Sequence, residues 1–210
     1  MLKNMDNKPQ INYFESLLAK HGPNYLALDW KSPESQKLRF EILKEMFIYG
    51  KKGANFSLLD LGSGLGDLFG YFKTQGFLTR HKMSYLGYDI APKLVEAAKK
   101  KYPDANFEIK DILVEEPPRF DYIFCCGIFN IRTIDKVGHL EHVEAIMRRA
   151  YEFSNCGIAA NFLSGLDDQN SGRYYYFNPE QILNFCRQLT RQYILRHDYH
   201  PGDFTVYLLK

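Results

Sequence analysis

No run of apolar residues in this chain approaches the roughly 18 that a membrane span needs, so no membrane partner is expected. The opening residues, Met1 to Gln10, carry no apolar signal-peptide core, which points to the cytoplasm. Cysteine is scarce: Cys125 and Cys126 are adjacent, Cys156 and Cys186 stand alone, and no metal or disulfide spacing results. Reduced, buried thiols are expected, and no metal site. An excess of one charge is lacking too, with 27 Lys and Arg against 25 Asp and Glu. Nucleic-acid binders usually present a cationic surface, so DNA and RNA are disfavoured as partners. There is no internal repeat and no low-complexity linker. At 210 residues the chain is most simply one domain, long enough to bury about 70% of its unfolded surface. Its aromatic content, 15%, serves both a core and the lining of small-molecule pockets.

What is present centres on Phe56 to Phe72. The run from Phe56 to Leu61, broken only by Ser57 and Asp60, suits a strand buried on both faces. Gly62, Gly64 and Gly66 follow, and then Leu68, Phe69 and Phe72 take up helical spacing. Strand, glycine turn and helix together present backbone N–H groups to a nucleotide-type ligand. A dinucleotide G-x-G-x-x-G started at Gly62 would need glycine at 67, where Asp67 stands, and no Walker lysine follows.

Along the chain, residues 11–21 read as an amphipathic helix ended by Gly22 and Pro23. A second helix starts with Ser32 as N-cap and Pro33 behind it, and runs to about Tyr49. Gln36 and Arg39 project from one side of it, a solvated face on spacing alone. Strands are expected at 84–88, 107–110, 122–126 and 157–163, with helices at 92–102, 139–151 and 179–189. Two last strands near 192–197 and 204–209 are joined by the turn Tyr199-His200-Pro201-Gly202 and are therefore antiparallel. Repeated βα units imply an α/β fold, a parallel sheet with helices on both faces. Asp89 and Asp111 close successive strands, at the end where ligands of such sheets bind.

The stretch Asp60-Leu61-Gly62-Ser63-Gly64-Leu65-Gly66, in register with Asp89 and Asp111, resembles motif I and its partners in the class I S-adenosylmethionine (SAM) methyltransferases. The resemblance is strong over residues 56–126 and architectural over 127–210. It implies a three-layer Rossmann-like fold with a seven-stranded, mostly parallel sheet, order 3-2-1-4-5-7-6, strand 7 antiparallel. It also implies SAM as cofactor and S-adenosylhomocysteine (SAH) as product. By that likeness Asp60 positions the methionine part, while Gly62, Ser63, Gly64 and Gly66 pass beneath the amino-acid and ribose portions. Asp89 would take the ribose hydroxyls, Asp111 the adenine amino group, Ile90 and Ile112 the two faces of the ring, and Gly127 the end of strand 4. Phrases such as Leu28-Asp29-Trp30-Lys31-Ser32 and Tyr174-Tyr175-Tyr176-Phe177-Asn178-Pro179 are similar to those of a group of short bacterial members. That likeness makes residues 1–52 a helical lid over a core of 53–210, with Gln36 and Arg39 as holders of the SAM carboxylate.

The acceptor is expected over the end of strand 4, near Gly127, Asn130 and Arg132, with Asn161, Ser164 and the segment 165–178 as a far wall. The near-neutral charge balance favours a small polar metabolite or natural-product intermediate with an anionic group near Arg132 or Arg173. Arg132 paired with Asp135 on the surface is the plainer alternative. Asn130, Arg132 and His197 are the candidates for catalysis, with His200 and the tyrosines as further bases, and none is singled out. Cys126 reads as a buried strand cysteine, and His139 and His142 as helix-surface histidines without a third metal ligand. The motif of nucleic-acid amine methyltransferases is absent after strand 4, where Cys126-Gly127-Ile128-Phe129 stands. Three other readings stay open: another Rossmann-like nucleotide enzyme, a SAM-binding protein without transfer activity, and a methyltransferase acting on a macromolecule. A monomer or homodimer is expected.

Overall fold

The computed structural model describes residues 7–50, 55–132, 136–166 and 172–210. Helix α1 (Lys8–His21) and a 3-10 turn (Tyr25–Leu28) precede α2 (Pro33–Lys44) and the short α3 (Met46–Tyr49). Then come β1 (Ser57–Leu61), α4 (Asp67–Thr74), α5 (Phe77–Arg80), β2 (Ser84–Asp89), α6 (Pro92–Lys101), β3 (Asn106–Ile109) and β4 (Phe120–Cys125). The chain ends with α7 (Lys136–Phe153), β5 (Ser154–Leu163), α8 (Pro179–Leu189), β6 (Tyr193–Arg196) and β7 (Asp203–Leu209). The seven strands lie in the order β3-β2-β1-β4-β5-β7-β6, as expected, with β7 antiparallel to both β5 and β6.

The central strands are apolar because both faces are covered. Leu59, Ile123, Ile158 and Val206 point into one core with Val143 and Met147 of α7 and Ile182 of α8. Leu58, Phe124, Ala159 and Tyr207 point into the other, against Phe40, Leu43 and Met46 of α2 and α3 and Phe72 of α4. Residues 33–49 of the segment read as a lid are therefore built into the core. What covers the carboxyl ends of the strands is α1 and the 3-10 turn. Ile11, Phe14 and Leu18 of α1 pack on Ala27, Leu65, Ala91 and Leu94.

The expected second helix is two helices. Glu45 keeps helical angles, yet its N–H turns to Ile42 and the ladder shifts there. No described helix is long and apolar enough to cross a membrane. His139 is a correction: it is 4% exposed rather than on the surface, because Tyr175 stacks on its ring at 4.5 Å and its Nε2 lies 2.7 Å from the Phe129 carbonyl.

Candidate active site

Two cavities open at the carboxyl end of the sheet. The first, about 1050 Å³ including its mouth, lies between the glycine loop, the ends of β2 and β3, and α1. Gly62 (φ 78°) and Gly64 (φ 53°) adopt left-handed angles that suit glycine. A Cβ on Gly62 would stand 2.0 Å from Ile128 Cγ2, and one on Gly64 2.8 Å from Leu28 Cδ2. The loop is held from behind, where the N–H groups of Gly62 and Ser63 both donate to the Tyr88 carbonyl, at 2.7 and 2.9 Å. Such bare backbone lets a flat ligand approach closely.

Asp89 and Asp111 both line this cavity. Asp89 accepts from the N–H of Gly64 at 2.8 Å and of Ala91 at 2.9 Å. Burial pushes its carboxyl above the ordinary range, against the lowering pull of the N–H groups of Ala91, Gly64 and Ile90. Asp111 accepts from the Leu113 N–H at 2.9 Å and from the Asn7 amide at 2.7 Å, which ties the cap to the end of β3. Ile90, Ile112 and Gly127 complete the expected set in this cavity. His142 joins them, its imidazole pushed down by burial and drawn up by Asp111.

Asp60, Ser63 and Gly66 lie behind the lining. Asp60 is 2% exposed and accepts from the Tyr85 hydroxyl at 2.5 Å. Ser63 Oγ is buried and has no partner among the described residues. Gly66 (φ 73°) caps α4, where a Cβ would meet Phe107 at 2.6 Å. Gln36 is also away from both cavities, its amide donating to Asp67 at 3.0 Å.

The second cavity, about 830 Å³ including its mouth, adjoins the first and is walled by Asp29, Asn130, Tyr174, Tyr176, His200 and Asp203. Arg39 reaches it too. The Arg39 guanidinium donates to the Asp203 carboxylate and to the Ser35 carbonyl and hydroxyl, the latter two at 2.9 Å, while its Nε has no partner among the described residues. His200 Nδ1 lies 3.2 Å from Asp203 Oδ2. Asp29 accepts from the hydroxyls of Tyr13 at 2.6 Å and Tyr174 at 2.8 Å, so α1, the 3-10 turn and the segment after Gly172 meet at one carboxylate. Burial and Asp29 together push the Tyr174 hydroxyl up to about 12. Asn130 takes the Leu163 N–H on its Oδ1 at 3.1 Å, and Asn161 takes that of Gly127 at 2.7 Å.

Arg132 and His197 are not brought to either cavity. Arg132 is exposed and donates to the Gly172 carbonyl at 2.8 Å; Asp135, its suggested surface partner, lies outside the described residues. His197 Nε2 faces the Pro201 carbonyl at 3.1 Å. Arg173 is exposed beside Tyr13 and Asp29. Of the segment 165–178, residues 167–171 lie outside the described residues, and Tyr174 bridges to Ile131. Burial pushes the Cys126 thiol up, opposite to what a nucleophilic thiolate needs. Among the described residues no three metal-ligating side chains cluster.

Glycine loop, paired strand-end carboxylates and a reversed last strand define a class I methyltransferase architecture. No protein-family model matches the chain. It is 31% identical over 163 residues to the Mycobacterium tuberculosis protein named "Putative methyltransferase Rv1506c", covering 74% of this chain and 93% of that one. The chain belongs to the class I SAM-dependent methyltransferases. Solved structures share the fold at lower identity. A TehB-like SAM-dependent methyltransferase from Corynebacterium glutamicum superimposes with a TM-score of 0.58 at 16% identity, covering 97% of this chain and 98% of that one. The magnesium protoporphyrin IX methyltransferase ChlM of Synechocystis with bound SAM gives 0.65 at 13%, with 99% of each chain covered. The plantazolicin methyltransferase BpumL, in complex with a desmethylPZN analog and SAH, gives 0.66 at 15%, with 96% and 94% covered.

Proposed function

We propose that SAM occupies the first cavity and that a small polar acceptor occupies the second, with methyl transfer at their junction. One observation carries this reading: Phe14, Leu28, Trp30, Gly127 and Ile131 line both cavities, so the two spaces meet at the end of β4. Bound SAM supplies a methyl group on a sulfonium, activated for in-line displacement. In this assignment the backbone of Gly62 to Gly66 underlies its amino-acid and ribose portions. Asp89 accepts from the ribose hydroxyls, Asp111 from the adenine amino group, and Ile90 and Ile112 flank the ring. The glycine cradle supports the fit, since Gly62 and Gly64 line the first cavity with left-handed backbone and no side chain. Asp60 and Gln36 act from behind, through Tyr85 and Asp67. The carboxylate-holding role assigned to the pair falls to Arg39, which lines the second cavity beside Trp30, one of the residues shared by both.

A small acceptor suits the second cavity because it is a concave space in which a few polar groups converge among apolar ones. Its lining mixes two carboxylates, a guanidinium, an ammonium, an imidazole and tyrosine hydroxyls, so recognition is by several hydrogen bonds. The anionic handle moves from Arg132 and Arg173, which line neither cavity, to Lys31, which lines the second. Asn130 orients the acceptor, and His200 is the imidazole that lines this cavity, its Nδ1 taking the Gly202 N–H at 3.0 Å. The protein's work is alignment and exclusion of water by α1 and the 3-10 turn. Four free cysteines support a reducing compartment, the cytoplasm. Both cavities are lined from one chain, so a monomer or a homodimer is compatible with the assignment.

The test has two parts. Calorimetry is expected to give binding of SAM and SAH and none of NAD; the reverse overturns the cofactor. Incubation with methyl-labelled SAM and a bacterial extract is expected to produce SAH and to place label in the small-molecule fraction. Label found in RNA or protein overturns the acceptor class, and no SAH above the extract blank favours a binding protein.

A further inference from the structure

The geometry points to Trp30 as the residue that recognises the positive charge of the cofactor and so separates SAM from SAH. This inference rests on the assignment of SAM to the first cavity. In-line transfer requires the methyl group to lie at the junction of the two cavities, and the sulfonium is one bond behind it. None of the five residues shared by both cavities carries a charge, and two of them, Phe14 and Trp30, are aromatic. The nearby carboxylates stand to either side of the junction, Asp89 and Asp111 lining only the first cavity and Asp29 and Asp203 only the second. A cation that is not met by a carboxylate can be met by the negative face of an aromatic ring, and indole is the strongest such face.

Trp30 is held for that role from three directions. Asp29 takes a left-handed conformation (φ 60°) that ends the 3-10 turn, and the Trp30 N–H closes it on the Tyr25 carbonyl at 3.2 Å. Ser32 caps α2 two residues later. The six-membered edge of the indole lies against Gly127, where an added Cβ would stand 3.1 Å from Cζ2 and 3.3 Å from Cη2. Through Leu28, the same turn rests on Gly64. The ring already has one cationic neighbour, with the Arg39 guanidinium carbon 6.0 Å from its centroid. Asp203 offsets that charge from the other side.

The consequence is for turnover, because SAH has lost the charge that Trp30 attracts. Attraction to the sulfonium lowers the ground state before transfer and vanishes as the methyl leaves, so it does not speed the chemical step. It favours replacement of the neutral product by fresh SAM.

Trp30 is the only tryptophan in the chain, so fluorinated tryptophans alter this one ring. Proteins carrying mono-, di- and trifluorotryptophan are titrated with SAM, with sinefungin (an amine in place of the sulfonium) and with SAH. The expected result is a stepwise loss of SAM and sinefungin affinity reaching about tenfold, with SAH unchanged within about twofold. Trp30→Leu, at a half-buried position, is expected to lower the SAM-to-SAH affinity ratio by about tenfold as well. Equal shifts for SAM and SAH, or none for either, overturn the role of Trp30 while leaving the cofactor assignment standing. Wild-type protein that binds neither overturns both.

Discussion

The Tyr85 hydroxyl on β2 donates to the Asp60 carboxylate on β1 at 2.5 Å, behind the glycine loop and out of reach of water. Burial is the largest influence on Asp60 and raises it, the Tyr85 hydrogen bond lowers it, and Asp89 and Asp67 raise it; the result is about 7 against an ordinary 3.8. The folded chain therefore holds this proton more tightly than the unfolded chain. Its contribution to stability is complete below the ordinary value and is lost as pH rises through about 7. Between about pH 4 and about pH 8 the wild type is expected to lose on the order of 3 kcal/mol relative to Asp60→Asn, read from urea unfolding. Parallel pH profiles for the two proteins would contradict this.

The sheet was legible because parallel strands covered on both faces read as apolar runs, punctuated here by Gly62, Asp89, Asp111 and Gly127. The glycine loop and its two carboxylates were legible for the same reason, since each stands where a strand ends. β5 begins at Ser154 rather than 157 because it follows Phe153 of α7 directly, with no turn residue to mark the change. His139 misled because its burial comes from Tyr175, far along the chain. The acceptor side was the least legible. His200 and Asp203 are neighbours in one turn, but Asp29 and Tyr174 meet them only through tertiary packing, and the local signals were the phrase Leu28 to Ser32 and the segment 165–178.

Gly62→Ala tests the cradle. A left-handed conformation costs a residue with a Cβ about 1–2 kcal/mol, and this Cβ also meets Ile128 at 2.0 Å. Gly76 also has a left-handed backbone, φ 62° and ψ 18°, but nothing within 4 Å of its Cβ position. Gly76→Ala is therefore expected to lower stability alone, by about 1 kcal/mol, with SAM affinity unchanged. Gly62→Ala is expected to lower SAM affinity by at least about tenfold in addition, measured by calorimetry. Equal SAM affinities in the two variants would remove the glycine cradle from the cofactor assignment.

Removal of residues 1–31 tests the cap. α1 has no buried residue of its own, and the sheet keeps α2 and α3 as its cover on that face. A folded core is expected by circular dichroism, with the dissociation rate of SAH raised by at least about tenfold through loss of the covering turn. An unfolded truncate would make the segment part of the core, and an unchanged rate would show that it covers nothing the cofactor needs.

Arg39 and Asp203 form a buried ion pair, with 6% and 2% of their side chains exposed, linking α2 to the first residue of β7. Burial alone pushes the Arg39 guanidinium down, the sign of a charge that has lost its water. A buried pair of this kind contributes little net stability, because desolvation offsets the attraction; breaking it strands one charge and costs about 3–5 kcal/mol. Asp203→Asn is thus expected to destabilise the chain by about that amount, and Arg39→Met with Asp203→Leu by about 1 kcal/mol or less. The same pair separates stability from function. The double variant is expected to fold well yet to lose affinity for the carboxylate of SAM, by at least about tenfold, because the guanidinium is gone. Thermal unfolding and calorimetry on the two proteins check both parts. A stable double variant that binds SAM as the wild type does would leave Arg39 a structural ion-pair partner and return the carboxylate to the glycine loop.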